Sequence, residues 1–479
     1  MDGTNFVISP ILVVILSLVP LIFSLLFLKS RSNSRLARKL PLPPGDEGWT
    51  IPVIGDTPAF LKNPFQFLDE KREKYGGFFR TSLFGQISLV LSTPESARFV
   101  LVQAQKSFKH GYRPSITRIT DPADCFTHPE LNSRVRKLIA AALGPENVHR
   151  HIPAYDALVL SVIDNWTDGS TINSVTEVET MTLKCFLHLL WGQADQQQEY
   201  IEVRRLHTAM NKGCLAAVPI NLPFTAYGKA LKASREFQQI LTGRIAEARD
   251  ARNRSKVHDV ITALIDAETE DGLKLTDKQI RSVITTLVFA GYRTTANTLV
   301  WVFKFLHDNP EVLLEVKEEQ MAIKNYGKQS GREGLTWDDV KKMTLTMKVL
   351  KETMRLAPVL KFMSRVSLEE VECSGYVIPK GWRTYVSYHF HLDPKLYPDP
   401  LKFDPYRFIE TPRPNTFIPF GNGGHLCVGY EFANTVIPLV IHHVVTSVGF
   451  QRDGVDGVVF WPSYVPKDGY PLKIKRLNS

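Results

Sequence analysis

The chain has little that would staple or repeat a fold. Its 479 residues hold five cysteines, an odd number, widely spaced and without a CxxC pair. A disulfide framework is therefore not expected, and a reducing compartment is. Four of them, Cys125, Cys185, Cys214 and Cys373, read as small buried apolar residues. There are no internal repeats, heptads or low-complexity tracts, so the reading is one folded domain behind a short anchor. Acidic residues are outnumbered 49 to 58, for a net charge of +9. Five of the cations, Lys29, Arg31, Arg35, Arg38 and Lys39, crowd into the first 40 residues against Asp2 alone. What remains is too diffuse for a nucleic-acid footprint, and no basic stripe with interleaved aromatics appears, so no nucleic-acid partner is expected.

What is present begins with Phe6–Leu28, 23 residues without a charge. As a helix this run would span about 34 Å, enough for a hydrocarbon core of about 30 Å. The cations that follow place the rest on the cytosolic side by the positive-inside rule. A cleaved signal peptide fits less well, since its cations precede a shorter apolar run. Residues 1–28 thus read as a single-pass anchor in the lipid bilayer. Residues 29–45 read as a basic, proline-rich hinge ending in Leu40-Pro41-Leu42-Pro43-Pro44-Gly45, and residues 46–479 as the body.

The body predicts mainly helix with small sheets near both ends. Residues 74–103 alternate like strands, around Phe79–Phe84 and Ile87–Leu91. Residues 130–360 follow helical spacing, 365–392 return to short strands and turns, and 429–448 form one more helix. The longest helix is expected from Thr276, which opens a capping box with Gln279, to His307 before Asp308-Asn309-Pro310. Its middle carries Ala290-Gly291-Tyr292-Arg293-Thr294-Thr295, and a glycine beside threonines there weakens the helix with no packing gain in view. That marks a site.

The chemistry concentrates in Phe420-Gly421-Asn422-Gly423-Gly424-His425-Leu426-Cys427-Val428-Gly429. A glycine-rich loop ends in one cysteine that opens a helix. The glycines let the backbone approach a flat cofactor closely, and free N–H groups at the helix start favour a thiolate. Upstream, Glu352 and Arg355 lie three apart on one helix face, and Phe403-Asp404-Pro405-Tyr406-Arg407-Phe408 supplies a further arginine, Arg407. Taken alone, Glu352 and Arg355 would be an ordinary exposed pair.

These motifs, in this order, resemble the cytochrome P-450 superfamily of haem-thiolate monooxygenases over about residues 40–475. The resemblance implies the cytochrome P-450 fold and haem (iron protoporphyrin IX) ligated through its metal by Cys427. It also implies cofactor contacts from Phe420, Gly421, Gly423, His425 and Gly429, with Arg136 (in Asn132-Ser133-Arg134-Val135-Arg136-Lys137) on a haem propionate. It further implies a Glu352–Arg355–Arg407 brace for the cysteine loop, an oxygen groove at Ala290 and Gly291, and a proton relay at Thr294 beside Thr295. Partners would be dioxygen, electrons from NADPH through NADPH-cytochrome P-450 reductase, and the endoplasmic reticulum membrane.

One departure is informative. The position before Thr294 is usually an acid in that superfamily, and here it is Arg293, which stays protonated near neutral pH. Three readings stay open: Arg293 points away while the relay runs through Thr294 and water, Arg293 pairs with a substrate carboxylate, or the enzyme does not need full dioxygen chemistry. Smaller departures are Asn132, Val428 and the helix-interior Pro438.

Within the superfamily, Pro43-Pro44-Gly45, Ser92–Val102, Tyr376–Trp382 and Pro414–Gly423 resemble abscisic acid 8'-hydroxylases, with a neighbouring branch acting on carlactonoic acid in strigolactone biosynthesis. That implies a small apolar acid as substrate. Lys361, after the Glu352/Arg355 helix, would then be a pocket cation for its carboxylate. The rivals are a haem-thiolate isomerase or dehydratase without external electrons, and a non-catalytic haem-binding sensor.

Overall fold

Proline and short side-chain caps decide where many helices start. Helices Pro64–Tyr75, Pro94–Arg98, Pro114–Thr120, Pro129–Ala142, Pro145–Arg150 and Pro310–Gln329 begin on a proline. There the missing N–H would have had no intrahelical partner. Thr93 with Ser96, Thr276 with Gln279 and Thr336 with Asp339 close reciprocal capping boxes. The expectation that residues 94–103 continue as strand fails for this reason. Thr93 and Pro94 nucleate a helix, which widens over Phe99–Gln103.

The computed structural model describes residues 40–45, 55–192, 197–216, 219–252, 259–455, 457–459 and 464–477. The expected anchor, residues 1–28, and the hinge up to residue 39 lie outside them. Among the described residues no helix is long and apolar enough to cross a membrane. The hinge's last six residues are pinned to the body. The Pro41 carbonyl accepts the Val377 N–H at 3.0 Å, the Pro44 carbonyl accepts the Arg80 N–H at 2.8 Å, and Gly45 bridges Arg80 in parallel.

One five-stranded sheet runs Phe78–Leu83, Gln86–Leu91, Arg383–Ser387, Phe362–Ser367 and Phe108–His110, joining chain segments nearly 300 residues apart through the parallel pair Ser88–Arg383. Smaller sheets and hairpins gather at 171–173 with 448–452 and 471–476, at 371–378, and at 458–466. The rest is mainly helix. The long helix spans Asp277–Asp308, about 48 Å at 1.5 Å per residue. It packs on Ser174–Trp191, Ala226–Arg252, Thr344–Leu356 and Tyr430–Ser447, and its apolar side chains join theirs in one continuous core. Pro438 lies buried inside the last of these helices, and nothing in the structure explains it.

Candidate functional site

The cysteine loop folds as a tight cradle. The Cys427 N–H donates to the Phe420 carbonyl at 2.9 Å, the Gly421 N–H to Ile418 at 2.9 Å, and Gly424 N–H to the Gln105 Oε1 at 2.7 Å. Gly421 and Gly423 sit at φ +80° and +67°, and a Cβ on Gly423 would lie 2.0 Å from the Leu101 carbonyl oxygen, so only glycine fits there. The helix opens at Tyr430, three residues past the cysteine. Burial pushes the Cys427 thiol up, while the Gly429 N–H and the Arg136 guanidinium draw it down. Phe420 stands edge-on to Tyr430, 4.9 Å between centroids.

Beneath the loop, Glu352 and Arg355 are fully buried on Thr344–Leu356. Arg355 Nε and Nη2 donate to the two Glu352 oxygens at 2.7 and 2.8 Å, a bidentate pair. Its remaining Nη1 donates to the His391 and Pro400 carbonyls, both at 2.8 Å. Arg407 brings its Nε within 3.4 Å of Glu352 and donates to the carbonyls of Pro398 and Asp399. The three side chains thus form one cluster. It reaches the cysteine loop through His391, whose Nε2 accepts the Ile418 N–H at 3.1 Å, and Ile418 in turn holds Gly421. Burial and Arg355 lower the His391 pKa to about 3, which keeps it neutral as that acceptor. No local sequence signal marks His391; only the strand-to-loop packing places it.

Arg136 bonds the carbonyls of Gly424, at 3.0 Å, and Leu426. Around it the structure gathers two groups that sequence reasoning did not single out. The antiparallel pairing of Phe108–His110 with Phe362–Ser367 sets His110 opposite Arg365. His110 and His425 rings meet at 4.4 Å. Burial, then Arg365, then Arg136 draw His425 down to about 4, and burial with the same cations lowers His110. Among the described residues no carboxylate pairs with Arg136, Arg365, His110 or His425, and the His425 Nδ1 is buried without a hydrogen bond. Two guanidiniums without a carboxylate partner, Arg136 and Arg365, with two neutral histidines beside the cysteine loop, fit iron protoporphyrin IX, which has an iron for the sulfur and two propionates for the guanidiniums. Asn132 spends its amide on the Phe126 carbonyl at 3.1 Å.

On the long helix, Thr294 is half-buried and its hydroxyl bonds back to the Ala290 carbonyl at 2.9 Å and to Gly291 at 3.4 Å. Thr295 is buried, its hydroxyl on Gly291 at 3.0 Å. Ala290 is exposed. The expectation that Gly291 brings no packing gain is wrong: a Cβ there would lie 2.6 Å from the Phe186 ring. This glycine lets Ser174–Trp191 close on the long helix, so it faces that neighbour. Arg293 turns the same way and donates from Nε to Glu179 Oε1 at 2.8 Å; Arg204 stands 3.8 Å from the other Glu179 oxygen. The preceding residue, Tyr292, bonds His207 Nδ1 at 2.8 Å. Glu179 carries no motif, and only helix packing brings it to Arg293.

Lys361 is 7 % exposed, its ammonium 3.8 and 3.6 Å from the ring centroids of Phe65 and Tyr464. Burial lowers its pKa well below the ordinary lysine value, and Nζ makes no hydrogen bond among the described residues. It occupies an aromatic box against Pro358 and Ser387–Leu392, which leaves only about 10 Å³ free, too little for a substrate carboxylate.

The site thus combines a cysteine in a glycine cradle, a buried Glu352–Arg355–Arg407 cluster and a long helix carrying Thr294. The cytochrome P450 family model matches residues 43–456, and the chain belongs to that family. It is 37 % identical to abscisic acid 8'-hydroxylase 1 of Oryza sativa subsp. japonica over 454 residues, 94 % of this chain and 93 % of that one. It is 37 % identical to abscisic acid 8'-hydroxylase 1 of Arabidopsis thaliana over 442 residues, 91 % and 92 % of the two chains. Retinoic acid-bound cyanobacterial CYP120A1 superposes with a TM-score of 0.80 at 26 % identity, covering 92 % of this chain and all of that one. The protein is a cytochrome P450 monooxygenase that uses haem, with electrons from NADPH supplied through a reductase.

Proposed function

We propose that this P450 hydroxylates or oxidises an apolar terpenoid carboxylic acid, an apocarotenoid hormone or precursor of the abscisic acid or carlactonoic acid kind. The observation that carries the reading is the similarity to abscisic acid 8'-hydroxylases along almost the whole chain. The retinoic acid in the cyanobacterial neighbour supports it, being another isoprenoid acid. Haem, when bound, supplies dioxygen activation and insertion of oxygen into a C–H bond.

The chain's own residues do the rest. Cys427 offers the thiolate, held by the Gly429 N–H; Arg136, Arg365, His110 and His425 take the propionates; the Glu352–Arg355–Arg407 cluster fixes the loop through His391. Thr294 holds a hydroxyl over the groove at Ala290 and exchanges protons with water there. Arg293, paired with Glu179, is withdrawn from both relay and substrate, the first of the three readings. Residues 1–28 anchor the body, residues 46–479, to the endoplasmic reticulum membrane, and residues 29–45 hold it there.

The test is incubation of membranes bearing the protein and its reductase with a panel of terpenoid acids, read by mass spectrometry. A product heavier by one oxygen and dependent on NADPH is expected. A product of unchanged mass formed without NADPH would instead establish an isomerase.

A further inference from the structure

Away from the cysteine loop, a cleft of about 390 Å³ opens between the hairpin turn at Phe84, the helix Pro114–Thr120 and the start of the helix Ala226–Arg252. Its size is that of a small-molecule site. Three arginines line it, Arg113, Arg118 and Arg383, and no acidic residue does. Among the described residues none of the three forms an ion pair. Arg383 donates to Gln86 Oε1 at 3.2 Å, Ser364 Oγ at 2.9 Å and the Gly111 carbonyl, all uncharged. Burial, and beyond it the charge of Arg383, lowers Arg113, against Tyr385.

Two further observations point to a ligand. Tyr227 lines the cleft, is 2 % exposed, and its hydroxyl is buried without a hydrogen-bond partner among the described residues. A buried hydroxyl left unmatched is costly unless something else meets it. Phe84 sits at φ +54° beside Gly85 at +74°, a turn position that asparagine, aspartate or glycine would occupy more readily. Its ring lies 4.5 Å from the Arg113 guanidinium and 6.1 Å from Phe60, so the strained turn holds an aromatic wall against a cation. The helix Pro114–Thr120 that lines the cleft also meets the long helix, where the Thr120 carbonyl accepts the Thr286 hydroxyl at 2.7 Å.

We propose that this cleft binds the carboxylate of the apolar acid substrate, with Arg113, Arg118 and Arg383 as its charge partners, Tyr227 as its hydroxyl donor and Phe84 against its hydrocarbon body. The assignment rests on the acid-substrate reading and moves the anionic anchor away from Lys361, whose box has no room. A carboxylate offers two acceptor oxygens, which suits forked guanidinium donors.

The test is equilibrium dialysis of the full-length, haem-loaded protein with abscisic acid and retinoic acid, each against its methyl ester. Arg113→Gln and Arg118→Gln are each expected to weaken binding of the preferred acid at least tenfold and leave its ester unchanged. Tyr227→Phe is expected to weaken the acid by about fivefold. Arg383 also holds the Gly111 carbonyl, so the decision rests on the other three variants, with unaltered thermal unfolding as the check on their fold. If the wild type prefers acid to ester and all three variants keep that preference, the cleft assignment is overturned and the acid-substrate reading stands. If the wild type shows no preference for either acid over its ester, both fall.

Discussion

The two faces of the site are built on opposite plans. On the cysteine side, Glu352, Arg355 and Arg407 close their charges among themselves: a bidentate pair at 2.7 and 2.8 Å, a second arginine at 3.4 Å, and carbonyls for the remaining donors. On the long-helix side, the middle of that helix carries a cation, Arg293, whose partner Glu179 lies on another helix 114 positions away. The first set has one local pair, Glu352 with Arg355, completed by groups 36 to 55 positions away. The second is satisfied wholly by packing between helices. In the first plan, removing one member strands a buried charge; the second is one ion pair between two helices, with Arg204 a further cation 3.8 Å from Glu179.

The largest effect should come from breaking the proximal cluster. Glu352→Ala leaves Arg355 and Arg407 beside an empty buried site, where removing one partner costs about 3–5 kcal/mol. Urea unfolding and the haem content of the purified variant should both drop, and normal values for both would show that the cluster does not carry the loop. Next comes the distal pair. Arg293→Glu sets two carboxylates together at Glu179 and should cost about 2–3 kcal/mol, whereas Glu179→Arg with Arg293→Glu should recover at least half of it. A double-mutant cycle without coupling would remove the inverted pair from the account.

The third test uses pH. Burial, with the Arg293 charge, lowers His207 to about 4. It therefore stays neutral in the folded chain where the unfolded chain would bind a proton. Its contribution is intact above about pH 6.5 and declines as pH falls from there toward 4. Between pH 7 and 5 the wild type should lose about 2 kcal/mol more stability than His207→Gln, compared by urea midpoints at each pH. Parallel losses would mean that His207 is already protonated or exposed. The smallest effect is Gly291→Ala. Better helix propensity gains about 1 kcal/mol, and the new methyl against Phe186 costs about 1–3, so a net loss of about 1 kcal/mol is expected. Phe186→Leu should relieve it, and a thermal melt of the double variant that stays as low as the single one would place Gly291 elsewhere.

The elements were legible where chemistry is local. The capping box at Thr276 and Gln279 starts the long helix where the spacing predicts, and the last helix, Tyr430–Ser447, lies within one residue of expectation at each end. Expectation failed at residues 94–103, where the apolar alternation resembles a strand and a single capped proline overrules it. At the site, the thiol was legible because glycine geometry around a lone cysteine is a local pattern, whereas the Glu352–Arg355–Arg407 cluster was legible only through the resemblance of three motifs in order, since Glu352 and Arg355 alone read as an exposed pair. His110 and Arg365 were not, because strand register, not sequence proximity, sets them face to face.

By itself the sequence determined the cysteine with its glycine-rich loop and the long helix with its anomalous cation, since each is written in patterns a few residues long; the Glu352–Arg355–Arg407 brace came from the family resemblance, because Arg407 stands 55 positions from Glu352. Only the tertiary structure decided that Gly291 is there for Phe186, that Arg293 belongs to Glu179, that His391 links brace to loop, and that Lys361 is shut in an aromatic box while three arginines open onto a cleft. The reason is the same in every case: a side chain's partner across a helix or sheet interface depends on register and rotation, and no local pattern of residues encodes those.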